Sequence, residues 1–326
     1  MPSYPLMGRA LALCLVLSTG GCVFITGDLN PFSRRPSALE ERAVSGSGRK
    51  KILLMDITGV ITSEERSDTF GLRTRESTVA RVEAELQQAA DDDDLVAIVV
   101  RINSPGGTVT ASDIIFQRLM RFREENGTPI LVQMMDVTAS GGYYAAVAAD
   151  EIIASPTTVT GSIGVIFTSV SLEGLMDKIG VRNQTVASGK MKDIGSPLRT
   201  MTPAERHVLE SLIGDLQQRF VEVVRERRPN LTEQMKAQMV DGRVFSADQA
   251  LAGGLVDGIG YLDDTIERAR LRAGVREATV IRYRRPEEYA ETLYSHSSFS
   301  APQVNLFNIT LDALPHPPNF LYLWLP

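Results

Sequence analysis

Residues 95–102 form a continuous β-rich run, LVAIVVRI, that is almost free of polar side chains. Such a run is expected of a strand that is buried on both faces of a sheet, as in parallel sheets covered by helices. Further apolar runs at residues 52–61 and 129–135 alternate with segments of helical spacing at residues 77–90 and 110–123. This order predicts an α/β domain whose parallel strands are joined by right-handed crossovers.

The chain of 326 residues divides into four parts by composition. Residues 1–26 are interpreted as a signal peptide or anchor, and residues 27–50, which are rich in proline, serine and glycine, as a flexible linker. Residues 51–274 carry the alternating pattern and are expected to form the folded domain. Residues 275–326 lose clear periodicity and form a tail with an apolar end.

The N-terminal part has the composition of a secretory signal. Arg9 precedes a short apolar stretch that ends in small residues and Cys22. Small residues directly before a cysteine resemble the bacterial lipobox, in which Cys22 would carry the lipid anchor. An uncleaved membrane anchor and an ordinary cleaved signal are the alternatives. All three place the domain in the bacterial cell envelope, outside the cytoplasm, and the first two keep it attached to a membrane.

Charge and cysteine content exclude several classes of function. The net charge of −6, without a basic block, argues against nucleic acid as a partner. The two cysteines, Cys14 and Cys22, both lie in the N-terminal part. The folded domain therefore has neither a disulfide nor a thiolate metal site.

The strongest chemical signal is a serine that precedes two glycines. Ser140 lies in the run ASGGYY at residues 139–144, at a predicted helix start. A serine hydroxyl becomes a useful nucleophile when a base takes its proton and nearby donors stabilise the oxyanion. The Gly141 amide and the positive end of the helix can face a reacting carbonyl. A second glycine turn, NSPGG at residues 103–107, follows the buried strand and is expected in the same crevice.

The base is less obvious from the residues alone. Of the three histidines, one lies at the start of a long helix and two in the irregular tail, which argues against a Ser-His-Asp triad. A lysine can serve as base when burial lowers its pKa from ~10.4 toward ~7–8 and a neutral hydroxyl holds its amine. Lys190 and Lys192 are both candidates for the base, and Ser162 is a candidate for the hydroxyl.

Five ordered motifs within residues 51–274 resemble the signal peptide peptidase A family of serine proteases, a relative of the Clp proteolytic subunit and the crotonase fold. They are residues 103–107, 139–144, 160–165, 188–197 and 241–245. The resemblance implies a Clp protease/crotonase-like α/β domain, which is a repeated ββα spiral with C-terminal helices.

The resemblance also assigns roles to individual residues. Ser140 would be the nucleophile, and Lys192 the general base, because the family lysine directly precedes Asp-Ile. Ser162 would hold the lysine amine, and the amides of Gly107 and Gly141 would form the oxyanion hole. Neither a metal nor an organic cofactor is implied.

The function implied by the resemblance is that of a membrane-tethered serine endopeptidase that hydrolyses residual signal peptides and similar apolar peptides. Ser140 and Lys192 would meet between neighbouring protomers of a homo-oligomer. The alternatives are a membrane-protein quality-control protease with the same dyad, a catalytically silent scaffold, and a crotonase-type acyl-CoA enzyme, against which the secretory start argues. Residues 320–325 are expected to pack on the domain or a partner, with a membrane or a peptide groove as alternatives.

Overall fold

The computed structural model of the chain describes residues 37–67, 74–285, 293 and 320–325. The predicted signal or anchor, with Cys22, lies outside the described residues, as does most of the tail. Within the described residues, no helix combines the length and the apolar character that crossing a membrane requires.

The described residues form a mixed α/β structure. The strands are β1 (Glu40–Gly46), β2 (Lys51–Thr58), β3 (Arg66–Ser67), β4 (Thr74–Arg75), β5 (Leu95–Ser104), β6 (Gly106–Thr108), β7 (Ile130–Ala139), β8 (Glu151–Ala154), β9 (Val159–Gly161), β10 (Ile166–Phe167), β11 (Val244–Ser246), β12 (Gly258–Ile259), β13 (Thr279–Arg284) and β14 (Phe320–Leu323). The α helices are α1 (Thr78–Ala90), α2 (Val109–Asn126), α3 (Gly141–Ala146), α4 (Glu173–Ile179), α5 (Pro203–Arg227), α6 (Glu233–Gln238), α7 (Ala247–Gly253) and α8 (Leu262–Arg272).

The main sheet has the order β1-β13-β2-β5-β7-β8-β12, with β9 paired to β7 and β11 paired to β9. Strands β13, β2, β5, β7, β8 and β12 are parallel, whereas β1 runs antiparallel to β13 at the edge. The carboxyl ends of β5 and β7 therefore lie side by side. In sheets of this kind, ligands bind at the carboxyl ends of the strands.

Helices cover both faces of the sheet, which explains the unbroken apolar strand sequences. On one face, α1 and α2 contribute residues such as Val82 and Leu119 to the larger apolar core. On the other face, Leu262 and Ala269 of α8 pack with Val99 and other strand residues. The α/β expectation and its buried strands are confirmed.

The sheet extends past the predicted domain boundaries on both sides. Strand β1 lies inside residues 27–50, which were predicted to be a flexible linker, and β13 lies beyond residue 274. The two strands pair with each other, and β13 also pairs with β2. The main sheet therefore includes a strand on each side of residues 51–274, and each of these strands is held by a partner that is distant in sequence.

A second, smaller sheet contains β14 between β10 and β6, with both pairings antiparallel. Strand β6 follows β5 and is part of the NSPGG turn. The apolar segment at residues 320–325 therefore packs directly beside this turn. The segment thus packs on the domain, which was one expectation. It does so at the place where a peptide groove is predicted, which was another.

Candidate active site

Ser140 lies where β7 ends and α3 begins, with φ of 51° and ψ of −118°. Its amide donates to the Gly161 carbonyl at 2.8 Å. A non-glycine residue with positive φ costs on the order of 1–3 kcal/mol and persists only where the surrounding structure imposes it. The main sheet and α3 supply this constraint, and they hold the hydroxyl at the head of a helix.

The Ser140 side chain is buried, with 1% of the residue exposed. Among the described residues, its Oγ atom has no hydrogen-bond partner. A buried hydroxyl without a partner costs about 1–3 kcal/mol, and most buried polar atoms in proteins are satisfied. A serine nucleophile whose proton acceptor lies on a neighbouring protomer is expected to have such an unsatisfied hydroxyl within one chain.

Ser162 occupies the equivalent place on the neighbouring strand. Strand β9 runs parallel to β7 with Ala139 opposite Gly161, so that the serines follow paired residues. Ser162 also has a positive φ of 49°, and its amide donates to the Arg243 carbonyl at 2.8 Å. Only these two non-glycine residues have positive φ in the described part of the chain. Ser140 and Ser162 therefore follow neighbouring residues of two paired strands, and the role of Ser162 toward the lysine stays a prediction.

The two predicted oxyanion glycines also converge. A Cβ atom placed on Gly141 would lie 3.2 Å from the Gly107 amide nitrogen, and one placed on Gly107 would lie 1.9 Å from the Ile61 carbonyl oxygen. Gly106 is equally confined, because a Cβ there would lie 2.7 Å from the Gly141 amide nitrogen. We call Gly106, Gly107 and Gly141 the glycine cradle. Only glycine allows these backbones to approach so closely.

Side chains at the ends of β5 and β7 hold the glycine cradle in place. The Ser104 hydroxyl donates to the Gly59 carbonyl at 2.6 Å and accepts from the Gly106 amide at 3.1 Å. The Asn103 side-chain oxygen accepts from the Val137 amide at 3.1 Å. These bonds tie the end of β5 to Gly59 and to Val137 of β7. The paired strands therefore set the geometry of the turns that follow them.

Lys192 lies apart from this cluster in the described chain. It is exposed, like Lys190, and its amide donates to the Gly189 carbonyl at 3.1 Å. Among the described residues, no hydrogen bond joins its amine to Ser140 or Ser162. The role of Lys192 as base stays a prediction. The predicted contact joins Lys192 to Ser140 of a neighbouring protomer.

The segment that carries Lys192 is anchored through Arg199. The Arg199 guanidinium donates to both carboxylate oxygens of Asp193, at 2.8 Å each, and to Glu205 at the start of α5. Hydrogen bonds from Arg199 and from Thr202 lower the pKa of Glu205 to about 2, and the Arg199 bonds also hold the pKa of Asp193 below its usual range. Both carboxylates therefore stay charged at neutral pH.

Comparisons with known proteins show the family to which the chain belongs. Residues 123–276 match the family model Peptidase family S49. The chain is 32% identical over 260 residues to a putative signal peptide peptidase SppA of Enterococcus faecium, covering 80% of this chain and 74% of that protein. It is 36% identical over 230 residues to a putative protease of Synechocystis, covering 70% of this chain and 76% of that protein. The chain belongs to peptidase family S49.

Two solved structures are also similar to this S49 chain. A membrane-bound stomatin-specific protease aligns with a TM-score of 0.42 and 14% identity, covering 68% of this chain and 86% of that one. ClpP1 from Listeria monocytogenes aligns with a TM-score of 0.42 and 17% identity, covering 65% and 94%. Membership of family S49 identifies the protein as a serine peptidase and confirms the resemblance recognised in the sequence motifs.

The region matched by the S49 model contains Ser140, Gly141, Ser162 and Lys192, whereas Gly107 precedes it. Sequence reasoning missed the Arg199 anchor, because a lone arginine in a turn carries no pattern. A peptide groove was one alternative for residues 320–325, but the sequence did not indicate that the Tyr322 carbonyl lies beside the glycine cradle. The described residues contain no cluster of three or more histidine, cysteine or acidic side chains suited to a metal ion.

Proposed function

We propose that this S49 peptidase is a membrane-tethered serine endopeptidase that cleaves residual signal peptides and similar apolar peptides with a Ser140–Lys192 dyad. The observation that supports it best is the buried, unsatisfied Ser140 hydroxyl at the head of α3, beside the glycine cradle. A nucleophile and donors for an oxyanion thus lie in one crevice. The tether is the N-terminal segment and Cys22, which lie outside the described residues.

The proposed reaction begins with proton transfer from Ser140 Oγ to the uncharged Lys192 amine of a neighbouring protomer. The Ser140 oxygen then attacks the peptide carbonyl carbon, and the resulting oxyanion accepts from the amides of Gly107 and Gly141. In a well-studied serine protease, removal of one such donor lowers kcat by a factor of ~10²–10³. Lys192 gives this proton to the leaving amine as the peptide bond breaks. It then takes a proton from water, which attacks the acyl carbon, and passes that proton to Ser140 Oγ as the ester bond breaks.

Ser162 is proposed to keep the lysine in its reactive orientation. It follows the strand next to the one that carries Ser140, and it is only 8% exposed. A hydroxyl there can accept a hydrogen bond from the approaching amine without adding a charge that would favour the ammonium form. The assembly of protomers would then exclude water from the dyad, which is needed for a lysine to act as base.

The test is a pH–rate profile of the wild type beside Lys192→Ala and Lys190→Ala, measured with an apolar reporter peptide. An ordinary lysine titrates near pH ~10.4. We expect the wild type and Lys190→Ala to share an ascending limb that begins well below this pH, and Lys192→Ala to lose activity by at least ~10³. Equal activity of Lys192→Ala and the wild type would refute the dyad. Unchanged activity in Ser140→Ala would instead favour the catalytically silent scaffold.

A further inference from the structure

Three buried hydroxyl groups form a row across strand ends of the main sheet. Ser104 of β5 is opposite Thr138 of β7, and Thr138 is opposite Thr160 of β9. None of the three residues is exposed. Because residues opposite each other on parallel strands lie on the same face of a sheet, the three side chains point to the same side. We call Ser104, Thr138 and Thr160 the hydroxyl row.

Each hydroxyl of the row donates to the main chain of the strand before it in the sheet. The Thr160 hydroxyl donates to the Thr138 carbonyl at 2.6 Å, and the Thr138 hydroxyl donates to the Ile102 carbonyl at 2.8 Å. The Ser104 hydroxyl donates to the Gly59 carbonyl, directly after β2. The row therefore connects the ends of β2, β5, β7 and β9 in the order in which these strands pair.

The main-chain pairing is short or irregular at these positions. Strand β9 has only three residues, Val159–Gly161, and the register of β7 against β5 shifts between Ile102 and Ser104. Where a register shifts, the ladder of main-chain hydrogen bonds is locally disrupted. The Thr138 hydroxyl spans this irregularity, and the Thr160 hydroxyl fixes the short strand to its neighbour.

Each member of the hydroxyl row lies two residues before a member of the candidate site, in the pairs Ser104 and Gly106, Thr138 and Ser140, and Thr160 and Ser162. Two residues of extended chain span about 7 Å. A displacement of the row is therefore passed on to the glycine cradle, to the proposed nucleophile and to the hydroxyl that is predicted to hold the lysine. The turns after β7 and β9 also move together, because the amide of the one donates to the carbonyl of the other.

The choice of threonine is informative because valine has nearly the same shape. The buried strands of this sheet use valine at other fully buried positions, for example Val99 and Val132. Valine at residues 138 and 160 would avoid the cost of burying a hydroxyl. A hydrogen bond, unlike apolar contact, fixes the distance and direction between two backbones. A site that combines groups from three strand ends requires such a constraint, since a misplacement of ~1 Å can cost ~10²-fold in rate.

We propose that Thr138 and Thr160 are positioning residues of this peptidase, whose hydroxyl groups set the placement of Ser140 and Ser162 relative to each other and to the glycine cradle. The inference rests on the proposed function and deepens it. Both threonines are fully buried, so they act through the two serines and are not catalytic residues themselves.

The test compares Thr160→Val, which removes the hydroxyl, with Thr160→Ser, which keeps it, using the full chain and the apolar reporter peptide. We expect Thr160→Val to lower kcat about tenfold to 100-fold and to leave KM within about threefold, whereas Thr160→Ser keeps most of the activity. The ascending limb of the pH–rate profile should move to higher pH in Thr160→Val. A lysine amine that Ser162 no longer holds is more hydrated, and its pKa returns toward ~10.4. Thr138→Val is expected to lower kcat by a similar factor.

The matched control is Thr265→Val. Thr265 of α8 is also fully buried, and its hydroxyl donates to the Gln133 side-chain oxygen at 2.5 Å. Both valine variants lose one buried hydrogen bond, so urea unfolding should show similar losses of stability. Only Thr160→Val should change kcat and the pH–rate profile. Equal kinetic effects of the two substitutions would overturn the inference, as would a wild-type kcat and profile in Thr160→Val.

Two further measurements cover other outcomes. If Thr160→Val does not fold, Thr160→Cys takes its place, because a thiol is only a weak donor, and equal kcat values for Thr160→Cys and Thr160→Ser would overturn the inference. Hydrogen exchange of the Ser140 and Ser162 amides needs no hydrolysis and should be at least ~10-fold faster in Thr160→Val than in Thr265→Val. A wild type that cleaves no peptide would refute the proposed function and leave this comparison, in which equal exchange rates would overturn the positioning role.

Discussion

The substitution Gly141→Ala separates the catalytic role of the glycine cradle from its role in packing. The new Cβ atom would lie 2.3 Å from Ser112 Oγ, far inside van der Waals contact. Ser112 is fully buried in α2, and its hydroxyl donates to the Thr108 carbonyl at 3.0 Å, so it has little room to move. Overpacking of this kind lowers the free energy of unfolding by about 1–3 kcal/mol.

A second substitution, Ser112→Ala, removes the atom that causes this clash. We therefore expect the double variant to regain most of the unfolding free energy that Gly141→Ala loses. The Cβ would still lie 3.1 Å from the Tyr322 carbonyl oxygen and 3.2 Å from the Gly107 amide nitrogen. It would thus still disturb the oxyanion, and kcat is expected to stay ~10²-fold or more below that of the wild type.

The measurements are urea unfolding and peptide hydrolysis for the wild type, both single variants and the double variant. Gly214→Ala is the matched control, because a Cβ there meets no atom within 4 Å in the middle of α5. It is expected to leave kcat unchanged and to raise the unfolding free energy by roughly 0.5–1 kcal/mol. Recovery of kcat together with stability in the double variant would show that Gly141 serves packing only.

Two further predictions concern charged groups. Arg199→Ala should release the segment that carries Lys192 and lower kcat on the order of tenfold with little change in KM. The unfolding free energy should fall by only about 1 kcal/mol, because Arg199 and Asp193 are partly exposed and the buried Glu205 still accepts hydrogen bonds from Thr202. Kinetics beside thermal denaturation test this, and an unchanged kcat would contradict it. Burial raises the pKa of Glu85 to about 7, and the adjacent Arg81 only partly opposes it. Because the folded state holds this proton more tightly than the unfolded one, stability should fall as the pH rises from about 4.5 through 7, and urea unfolding of Glu85→Gln should lose that slope.

The parts of the fold that could be predicted from sequence are those with a strong local pattern. The run at residues 95–102 became β5, and the helical spacing at residues 77–90 became α1, whose N-cap Ser77 accepts from the Ala80 amide. In both cases the hydrophobic period and the end signals agree. When these local signals agree, the type and position of an element depend little on contacts with distant residues.

The strands at the margins could not be predicted in the same way. Strand β1 is nearly all exposed and polar, and its pairing partner β13 follows more than 200 residues later. Strand β14 is short, and its own sequence does not indicate which sheet it joins. Short strands such as these pair with backbone groups of strands that are distant in sequence, so their positions depend on tertiary structure.

The candidate site shows the same division between local and distant information. The motifs located the turns at Ser140, Ser162 and Gly107, because glycine and serine are typical of turns at strand ends. No pattern in the sequence indicates the positive φ of Ser140 and Ser162, since neither residue type favours that conformation. The strain becomes visible only when strands β7 and β9 are paired.

This strain itself supports a chemical role for the two serines. Glycine would adopt a φ near 50° at little cost, and the chain uses glycine at positive φ in other turns, including Gly106 and Gly161 beside the site. A fold selected for stability alone would use glycine at residues 140 and 162 too. Retaining a serine at each position costs on the order of 1 kcal/mol or more in backbone strain, and the Ser140 hydroxyl gains no hydrogen bond among the described residues in return. The strain at Ser140 therefore supports the nucleophilic role that is proposed for its hydroxyl.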